Sequence, residues 1–226
     1  MSKELIDYLT QFVSEARRKK FDDVLQFRTR HITIALEDIY QPHNASAVLR
    51  SCDCFGIQDV HIIENRNAYT VNPDVALGSF KWLNLIKYNK SENNTHDSIK
   101  YLKKKGYKII ATTPHTNDCN IYDLDIDQPV CLFFGTELKG ISDEVKEQAD
   151  GFVKIPMFGF TESFNISVSA ALSIYTLVRK LHESKIKWQL SEKEKEEIIL
   201  NWLRESISKP ELIEKEFQER KLKLKG

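Results

Sequence analysis

The sequence lacks the features that define several large classes of protein. None of its apolar runs approaches the roughly 20 residues that span a bilayer, so we expect no membrane helix. Its first residues are charged and polar and contain no apolar signal region, which indicates a cytoplasmic protein. Its four cysteines contain no CxxC pair, and the CxC of Cys52 and Cys54 is a poor zinc signature. We therefore expect structural thiols and no metal.

The sequence also lacks net charge, because 33 basic side chains balance 33 acidic ones. The balance conceals a separation along the chain: residues 31–178 carry a net charge of −5, whereas residues 1–30 carry +2 and residues 179–226 carry +3. An acidic middle between basic ends is compatible with an anionic partner that is held mainly by the ends. Solvated helix faces explain the same pattern equally well.

Apolar periodicity predicts an α/β domain between two helical extensions. Residues 1–27 repeat apolar side chains at helical spacing, and a Lys/Glu-rich region after Leu181 contains a capping box from Ser191 to Glu194. Between them, short β-branched runs alternate with helical stretches, which is typical of a mostly parallel sheet buried on both faces. The predicted strands are 32–36, 60–63, 108–112, 130–134 and 152–155, and the predicted helices lie near 44–54, 95–105, 142–149 and 165–183. The predicted divisions are an N-terminal helical extension (1–30), the α/β domain (31–183) and a C-terminal helical extension (184–226).

Three polar loops, at residues 37–44, 135–140 and 156–165, each follow a predicted strand. Parallel sheets bind ligands at the carboxyl ends of their strands, so we expect the three loops to form one shared site. In the first loop we expect Pro42 and Asn44 to start a helix, with Asn44 as its N-cap. The side chains of Asn44 and Arg50 then lie within about one third of the helix circumference. This arrangement suits a phosphate group, although a capped surface helix with a salt-bridged Arg50 is the alternative.

The second loop breaks a buried strand at Gly135 and turns again at Gly140. It is neither a P-loop nor a GxGxxG motif. One interpretation is an ordinary turn with Glu137 in solvent. The other places the Gly135 backbone against a flat ligand and uses Glu137 to orient a cation such as Arg50.

The third loop brings Ser163 and Asn165 to the start of a helix that is lined with small residues. A face of small side chains indicates that another backbone or a ligand lies very close. The uncharged hydrogen-bonding groups of Ser163 and Asn165 suit a ribose hydroxyl. Capping of the helix is the simpler explanation for Asn165 alone.

The three segments, in this order and spacing, resemble the signature motifs of the SpoU branch of the SPOUT RNA methyltransferases. The resemblance covers about residues 31–180. Within that branch the chain is similar to the SpoU/TrmH family of tRNA guanosine 2′-O-methyltransferases. The similarity rests on Arg28-Thr29-Arg30, Pro42-His43-Asn44, residues 51–56, Ala111-Thr112 and the helical ends.

The resemblance implies a parallel α/β sheet whose C-terminal part forms a trefoil knot, an exception to the rule that folds are unknotted. It also implies a homodimer that binds S-adenosylmethionine in a bent shape. Phe164 stands where the family frequently has leucine, which would alter the adenine pocket. The implied cofactor-binding residues are Thr112, Gly135, Ile155 and Phe164, and the implied catalytic residues are Asn44, Arg50, Glu137, Ser163 and Asn165.

The implied reaction is methylation of a ribose 2′-oxygen, most specifically of the D-loop guanosine at tRNA position 18. A guanidinium is effectively never deprotonated in proteins, so we expect Arg50 to hold a phosphate and stabilise alkoxide charge rather than act as a base. The basic residues expected to bind tRNA are Arg17, Arg18, Lys19, Lys20, Arg28 and Arg30.

Three other functions remain open from the sequence. One is a 2′-O-methyltransferase that acts on ribosomal RNA or on another tRNA site. Another is a non-catalytic RNA-binding protein with the same fold, although such a protein has no need of the whole catalytic set. The third is a nucleotide-dependent α/β enzyme such as a dehydrogenase, against which the missing Gly-rich fingerprint counts.

Overall fold

The computed structural model describes residues 2–70, 72–114, 119–136 and 139–223. The chain forms two compact units. The terminal unit combines the residues up to Arg28 with the residues from Gln189 onward, and the central unit comprises Thr29–Trp188. The two ends, which the sequence pattern divides into separate extensions, thus contribute to one unit.

The central unit is built on a parallel sheet. Its strands, within the described residues, are β1 (Ile32–Glu37), β2 (Asp59–Ile63), β3 (Asn84–Tyr88), β4 (Lys108–Thr112), β5 (Cys119–Asn120), β6 (Val130–Phe134) and β7 (Gly151–Lys154). Their order across the sheet is β3-β2-β1-β6-β4-β7-β5, and each neighbouring pair is parallel. The predicted parallel α/β sheet is therefore confirmed.

Helices cover the sheet and build the terminal unit. In the described part of the chain they are α1 (Ser2–Leu9), α2 (Glu15–Leu25), α3 (Pro42–Cys54), α4 (Pro73–Ala76), α5 (Asn94–Lys104), α6 (Asp143–Gln148), α7 (Ile166–Glu183), α8 (Glu192–Ser206) and α9 (Pro210–Lys223), with short 3-10 helices at Thr10–Phe12 and Ser79–Trp82. None of these helices is both long and apolar enough to cross a membrane.

Successive side chains of a strand point to opposite faces of the sheet. Both faces are buried, because each packs into its own core cluster. In β6, Leu132 and Phe134 join a core cluster that includes residues of α3 and α7. Cys131 and Phe133 instead join a second cluster that includes residues of α5 and α6. Burial raises the pKa of the Cys131 thiol, which fits the structural role expected for it.

Two strands and one helix break differ from the sequence prediction. The prediction omits β3 because its residues are only half-buried and their polarity hides the pattern, and it omits β5, which has only two residues. The helix predicted over residues 1–27 is interrupted: Val13 is extended, and the Ser14 hydroxyl caps α2 by accepting the N–H of Arg17. The interruption turns one long predicted helix into two short ones.

The terminal unit contains the predicted capping box. Ser191 accepts the backbone N–H of Glu194, whose carboxylate accepts the backbone N–H of Ser191 at 2.8 Å. In the same unit Arg204 of α8 donates to both carboxylate oxygens of Glu214 in α9, at 2.6 and 3.1 Å. The forked pair fixes α9 against α8.

Candidate functional site

A cavity of about 680 Å³ opens where β4, β6 and β7 end. Its walls are residues at the carboxyl ends of these strands, the first turn of α3 and the first two turns of α7. The volume lies within the range of about 300–1,000 Å³ that is usual for small-molecule sites. The position is the one expected for a ligand of a parallel sheet.

The three polar loops of the sequence prediction meet at this cavity. Its lining includes the predicted residues Asn44, Thr112, Gly135, Ile155, Ser163, Phe164 and Asn165. Arg50 lies further along α3, is exposed and does not line the cavity. Glu137 lies outside the described residues, so its prediction has no structural counterpart here.

Two asparagine side chains join the starts of α3 and α7. The Asn165 Nδ2 donates to the Asn44 Oδ1 at 3.1 Å, and the Asn44 Nδ2 donates to the Gln41 Oε1 at 3.1 Å. The Asn165 Oδ1 also accepts the backbone N–H of Ser167 at 2.8 Å, so the predicted capping role of Asn165 is confirmed. Both amides therefore hold two loops of the site together.

The predicted N-cap at Asn44 is wrong. α3 begins at Pro42 and Gln41 occupies the N-cap position, because the fixed φ of proline suits the first helical residue. Asn44 is thereby inside the helix and only 3% exposed. Its side chain bridges Gln41 at the helix end and Asn165 of the third loop.

Gly135 is required by the chain itself. A Cβ at this position would lie 2.1 Å from the carbonyl oxygen of Gly140, far inside contact distance. Thr136 and Gly140 exchange two backbone hydrogen bonds of 2.9 Å across the neck of the loop. The glycine is thus explained by the close approach of two backbone segments, whatever ligand the cavity takes.

The small residues at the start of α7 pack against another helix on one side and face the cavity on the other. Ala170 is fully buried in the core cluster that contains Ala45 and Val48 of α3, so another helix lies close on that side. Ser169 and Ser173, one turn apart, line the cavity. Larger side chains would separate the helices on one side and fill the cavity on the other.

The cavity lining mixes apolar and polar side chains and carries no acidic side chain among the described residues. Lys139, Lys146 and Lys154 contribute the basic groups, and Lys146 pairs with Asp143 at 2.7 Å. This hydrogen bond lowers the pKa of Asp143. The Thr112 hydroxyl donates to the Phe133 carbonyl at 2.7 Å, which ties the end of β4 to β6.

Sequence reasoning missed two buried carboxylates at the end of β1. Glu37 and Asp38 are 3% and 8% exposed. Asp38 has a positive φ of 51°, and its carboxylate accepts the N–H groups of Asn65 and Arg66 at 2.7 and 2.8 Å. The only available signal was the acidic pair directly after an apolar strand, which also fits a solvated loop.

The predicted RNA-binding residues fall into two groups. Arg17, Arg18, Lys19 and Lys20 are exposed on α2. Arg28 is 1% exposed, with its guanidinium 5.4 Å from the centre of the Trp202 ring, and the Arg30 Nε lies 3.0 Å from the Asp59 carboxylate. The prediction is therefore corrected for Arg28, which is packed inside the protein. The Arg30 side chain is 19% exposed, and its RNA-binding role stays a prediction.

No group of three or more histidine, cysteine, aspartate or glutamate side chains that could hold a metal occurs in the described ranges. Fold and cavity together define an α/β protein that binds a small ligand at the carboxyl edge of a parallel sheet. The sequence specifies the family: the chain belongs to the SpoU rRNA Methylase family, whose sequence profile matches residues 31–175.

Individual relatives span nearly the whole chain. A Borreliella burgdorferi protein named tRNA (guanosine(18)-2'-O)-methyltransferase is 43% identical over 209 residues, which are 92% of this chain and 94% of that protein. A Thermus thermophilus protein of the same name is 31% identical over 193 residues, or 84% and 97% of the two chains. The crystal structure of the A. aeolicus TrmH/SpoU tRNA modifying enzyme superposes with a TM-score of 0.76 at 29% identity, covering 86% of this chain and 98% of that one.

Proposed function

We propose that this chain is an S-adenosylmethionine-dependent methyltransferase that modifies the ribose 2′-oxygen of the D-loop guanosine at tRNA position 18. The meeting of the three motif segments around one cavity, with Asn44 hydrogen-bonded to Asn165, carries the proposal. The names and the coverage of the relatives supply the substrate.

The residues around the cavity fit S-adenosylmethionine. The hydroxyls of Ser169 and Ser173 suit ribose and adenine groups of the cofactor, and a lysine such as Lys139 suits its carboxylate. Thr112, Gly135, Ile155 and Phe164 would hold the cofactor, mainly through backbone groups at the strand ends. When bound, the cofactor supplies an electrophilic methyl group.

The remaining motif residues would act on the RNA. Arg50 is exposed, and its forked donors would bind the phosphate beside the target ribose and stabilise negative charge on the 2′-oxygen. Ser163 and Asn165 would orient the ribose. The 2′-hydroxyl proton would pass to a substrate phosphate or to water, since guanidinium does not serve as a base. Glu137 would orient Arg50.

Unmodified tRNA transcript incubated with methyl-labelled S-adenosylmethionine should be labelled at guanosine 18, as mapped by resistance of the neighbouring linkage to alkali. The matched control is the same tRNA with a single 2′-deoxyguanosine at that position, which should take up no label. Labelling at another tRNA position, or of ribosomal RNA alone, would establish the related substrate instead. No methyl transfer to any RNA would leave only a binding role.

We also propose that the exposed basic cluster of α2 (Arg17, Arg18, Lys19 and Lys20) binds the tRNA backbone. Replacing all four by alanine should raise the KM for tRNA more than about tenfold. The slope of log affinity against log salt concentration should become shallower by about 3 to 4, because binding then releases about one counterion fewer for each phosphate contact that is lost. Affinity for S-adenosylmethionine should not change. An unaltered salt slope would contradict the assignment.

We propose a homodimer that forms through α7 of the central unit. Val168, Leu172 and Tyr175 make an apolar stripe on this helix that is 40–50% exposed, and Phe158 and Phe160 in the preceding loop are almost fully exposed. A second copy would cover such a surface. Light scattering at micromolar concentration should give twice the chain mass, and a monomer mass would contradict the proposal.

We further propose that the C-terminal part of the central unit forms a trefoil knot and that the protein is cytoplasmic. β6 lies between β1 and β4 in the sheet, and β7 lies beyond β4, so the chain crosses β4 after leaving β6. An experimental structure whose backbone closes into an unknotted loop would contradict the knot.

The proposed cytoplasmic location follows from a tRNA substrate. Recovery of the protein outside the cytoplasmic fraction would contradict this location.

A further inference from the structure

We propose that Glu37 is a positioning residue that holds the backbone pair Thr136 and Gly140 in the position that receives the cofactor. The inference rests on the proposed function, because both residues line the cavity assigned to S-adenosylmethionine. Glu37 does not line the cavity itself. It acts through Ser142, which follows the loop.

The Glu37 carboxylate is buried and receives three hydrogen bonds. Its Oε1 accepts the hydroxyls of Thr95 and Ser142 at 2.6 and 2.7 Å, and its Oε2 accepts the backbone N–H of Ser142 at 3.0 Å. A buried carboxylate is costly unless such bonds compensate for lost water. Two of the three come from Ser142, so the carboxylate holds that residue by both its backbone and its side chain.

The directions of these bonds are fixed by the other partners of the two hydroxyls. The Thr95 hydroxyl accepts the Asn65 Nδ2 at 2.8 Å, and the Ser142 hydroxyl accepts the Val145 N–H at 3.3 Å as the N-cap of α6. Each hydroxyl proton is therefore free to point at Glu37. Only a side chain with two accepting oxygens can receive both protons and the Ser142 N–H.

Glu37 completes a clamp on both stems of the loop. The first stem is β6, whose last residue Phe134 pairs in register with Leu36 of β1. The second stem is the segment after Gly140. It is held to β1 by a side chain: Glu37, the residue after Leu36, accepts two hydrogen bonds from Ser142. β1 thus holds one stem by its backbone and the other by a carboxylate.

The stems matter because the neck of the loop forms part of the cavity wall. Thr136 and Gly140 both line the cavity and are joined by two backbone hydrogen bonds. Ser142 follows Gly140 by two residues, so a displaced Ser142 pulls on this pair directly. Thr95, the other residue that binds the carboxylate, belongs to α5 and is distant from Gly140 along the chain.

A double-mutant cycle with Glu37→Gln and Ser142→Ala tests the proposal. The measurements are the affinity for S-adenosylmethionine by calorimetry and amide hydrogen exchange over residues 135–142 in the cofactor-free protein. Each single variant should bind roughly tenfold more weakly and exchange faster in this segment. The losses should be less than additive in the double variant, since both substitutions disrupt the contact between residue 37 and residue 142. Ser142→Thr keeps the hydroxyl and should bind within about twofold of the parent.

Thr95→Val is the matched control, because it removes a hydrogen bond to the same carboxylate from the side of α5. It should lower the midpoint of thermal unfolding, yet leave cofactor affinity within about twofold and leave exchange over residues 135–142 unchanged. A purely structural role for Glu37 would make Thr95→Val and Glu37→Gln equivalent in every measurement, which would overturn the proposal. Additive losses in the cycle would also overturn it.

Failure here is distinguishable from failure of the proposed function. If the parent chain binds S-adenosylmethionine but methylates no RNA, the enzymatic function is wrong, while the binding and exchange data still decide the role of Glu37. If the parent methylates tRNA and Glu37→Gln changes neither affinity nor exchange, only the positioning role is wrong. A parent chain that does not bind the cofactor would overturn both.

Discussion

Arg50→Ala is expected to lower kcat for tRNA methylation by about 100-fold or more and to leave S-adenosylmethionine affinity within about twofold. The two effects separate because Arg50 lies on α3 outside the cavity, whereas Asn44 on the same helix lines it. An exposed guanidinium at that position has access to RNA but not to the cofactor site. Single-turnover methyl transfer and calorimetry measure the two quantities independently.

Two further substitutions define the role of this arginine. Arg50→Lys keeps the positive charge but loses the forked donors, so we expect a small part of the activity to return. Arg179→Ala removes another exposed arginine of the central unit, one that pairs with Glu183 at 2.9 Å, and should change kcat less than about threefold. Equal loss of turnover and cofactor affinity in Arg50→Ala would contradict the assigned role.

Gly135→Ala is expected to destabilise the protein by about 3 kcal/mol and to abolish detectable S-adenosylmethionine binding. The added Cβ would lie 2.1 Å from the backbone carbonyl oxygen of Gly140. Backbone atoms cannot rotate away as a side chain can, so the neck of the loop must open. Urea unfolding measures the stability, and calorimetry measures the loss of binding.

Other glycines of the chain provide graded controls. No heavy atom lies within 4 Å of a Cβ built at Gly159, so Gly159→Ala should change stability by less than about 0.5 kcal/mol. Gly140 also has open space but a φ of +67°, and Gly140→Ala should cost about 1–2 kcal/mol through backbone strain. A Gly135→Ala protein as stable as Gly159→Ala would show that the close approach does not constrain this position.

The fold class was predictable because its signals are local. Buried parallel strands require continuous apolar runs, and β4 and β6 coincide with the predicted segments 108–112 and 130–134. β3 has no such run, since Asn84 and Lys87 interrupt it. A half-buried strand is recognised by its neighbours in the sheet, and these are invisible to a local pattern.

The composition of the site was partly predictable for a related reason. Polar residues at the ends of parallel strands must converge, so the amino-acid pattern alone brings Ser163, Asn165 and Gly135 together. The partner of Asn44 is not predictable in this way, because Asn165 is 121 residues away and helix-cap statistics describe only the adjacent turn. Arg28 and Arg17 both belong to the basic N-terminal region, yet Arg28 is buried and Arg17 is exposed. The sequence alone does not distinguish them.

The hydrogen bond between Asn44 and Asn165 joins a residue that is translated early to one that is translated late. α3 leaves the ribosome about 120 residues before the start of α7 exists. Until then the cavity lacks one wall, and the carboxamide of Asn44 has no partner from α7. A complete site therefore exists only after nearly the whole central unit has been translated.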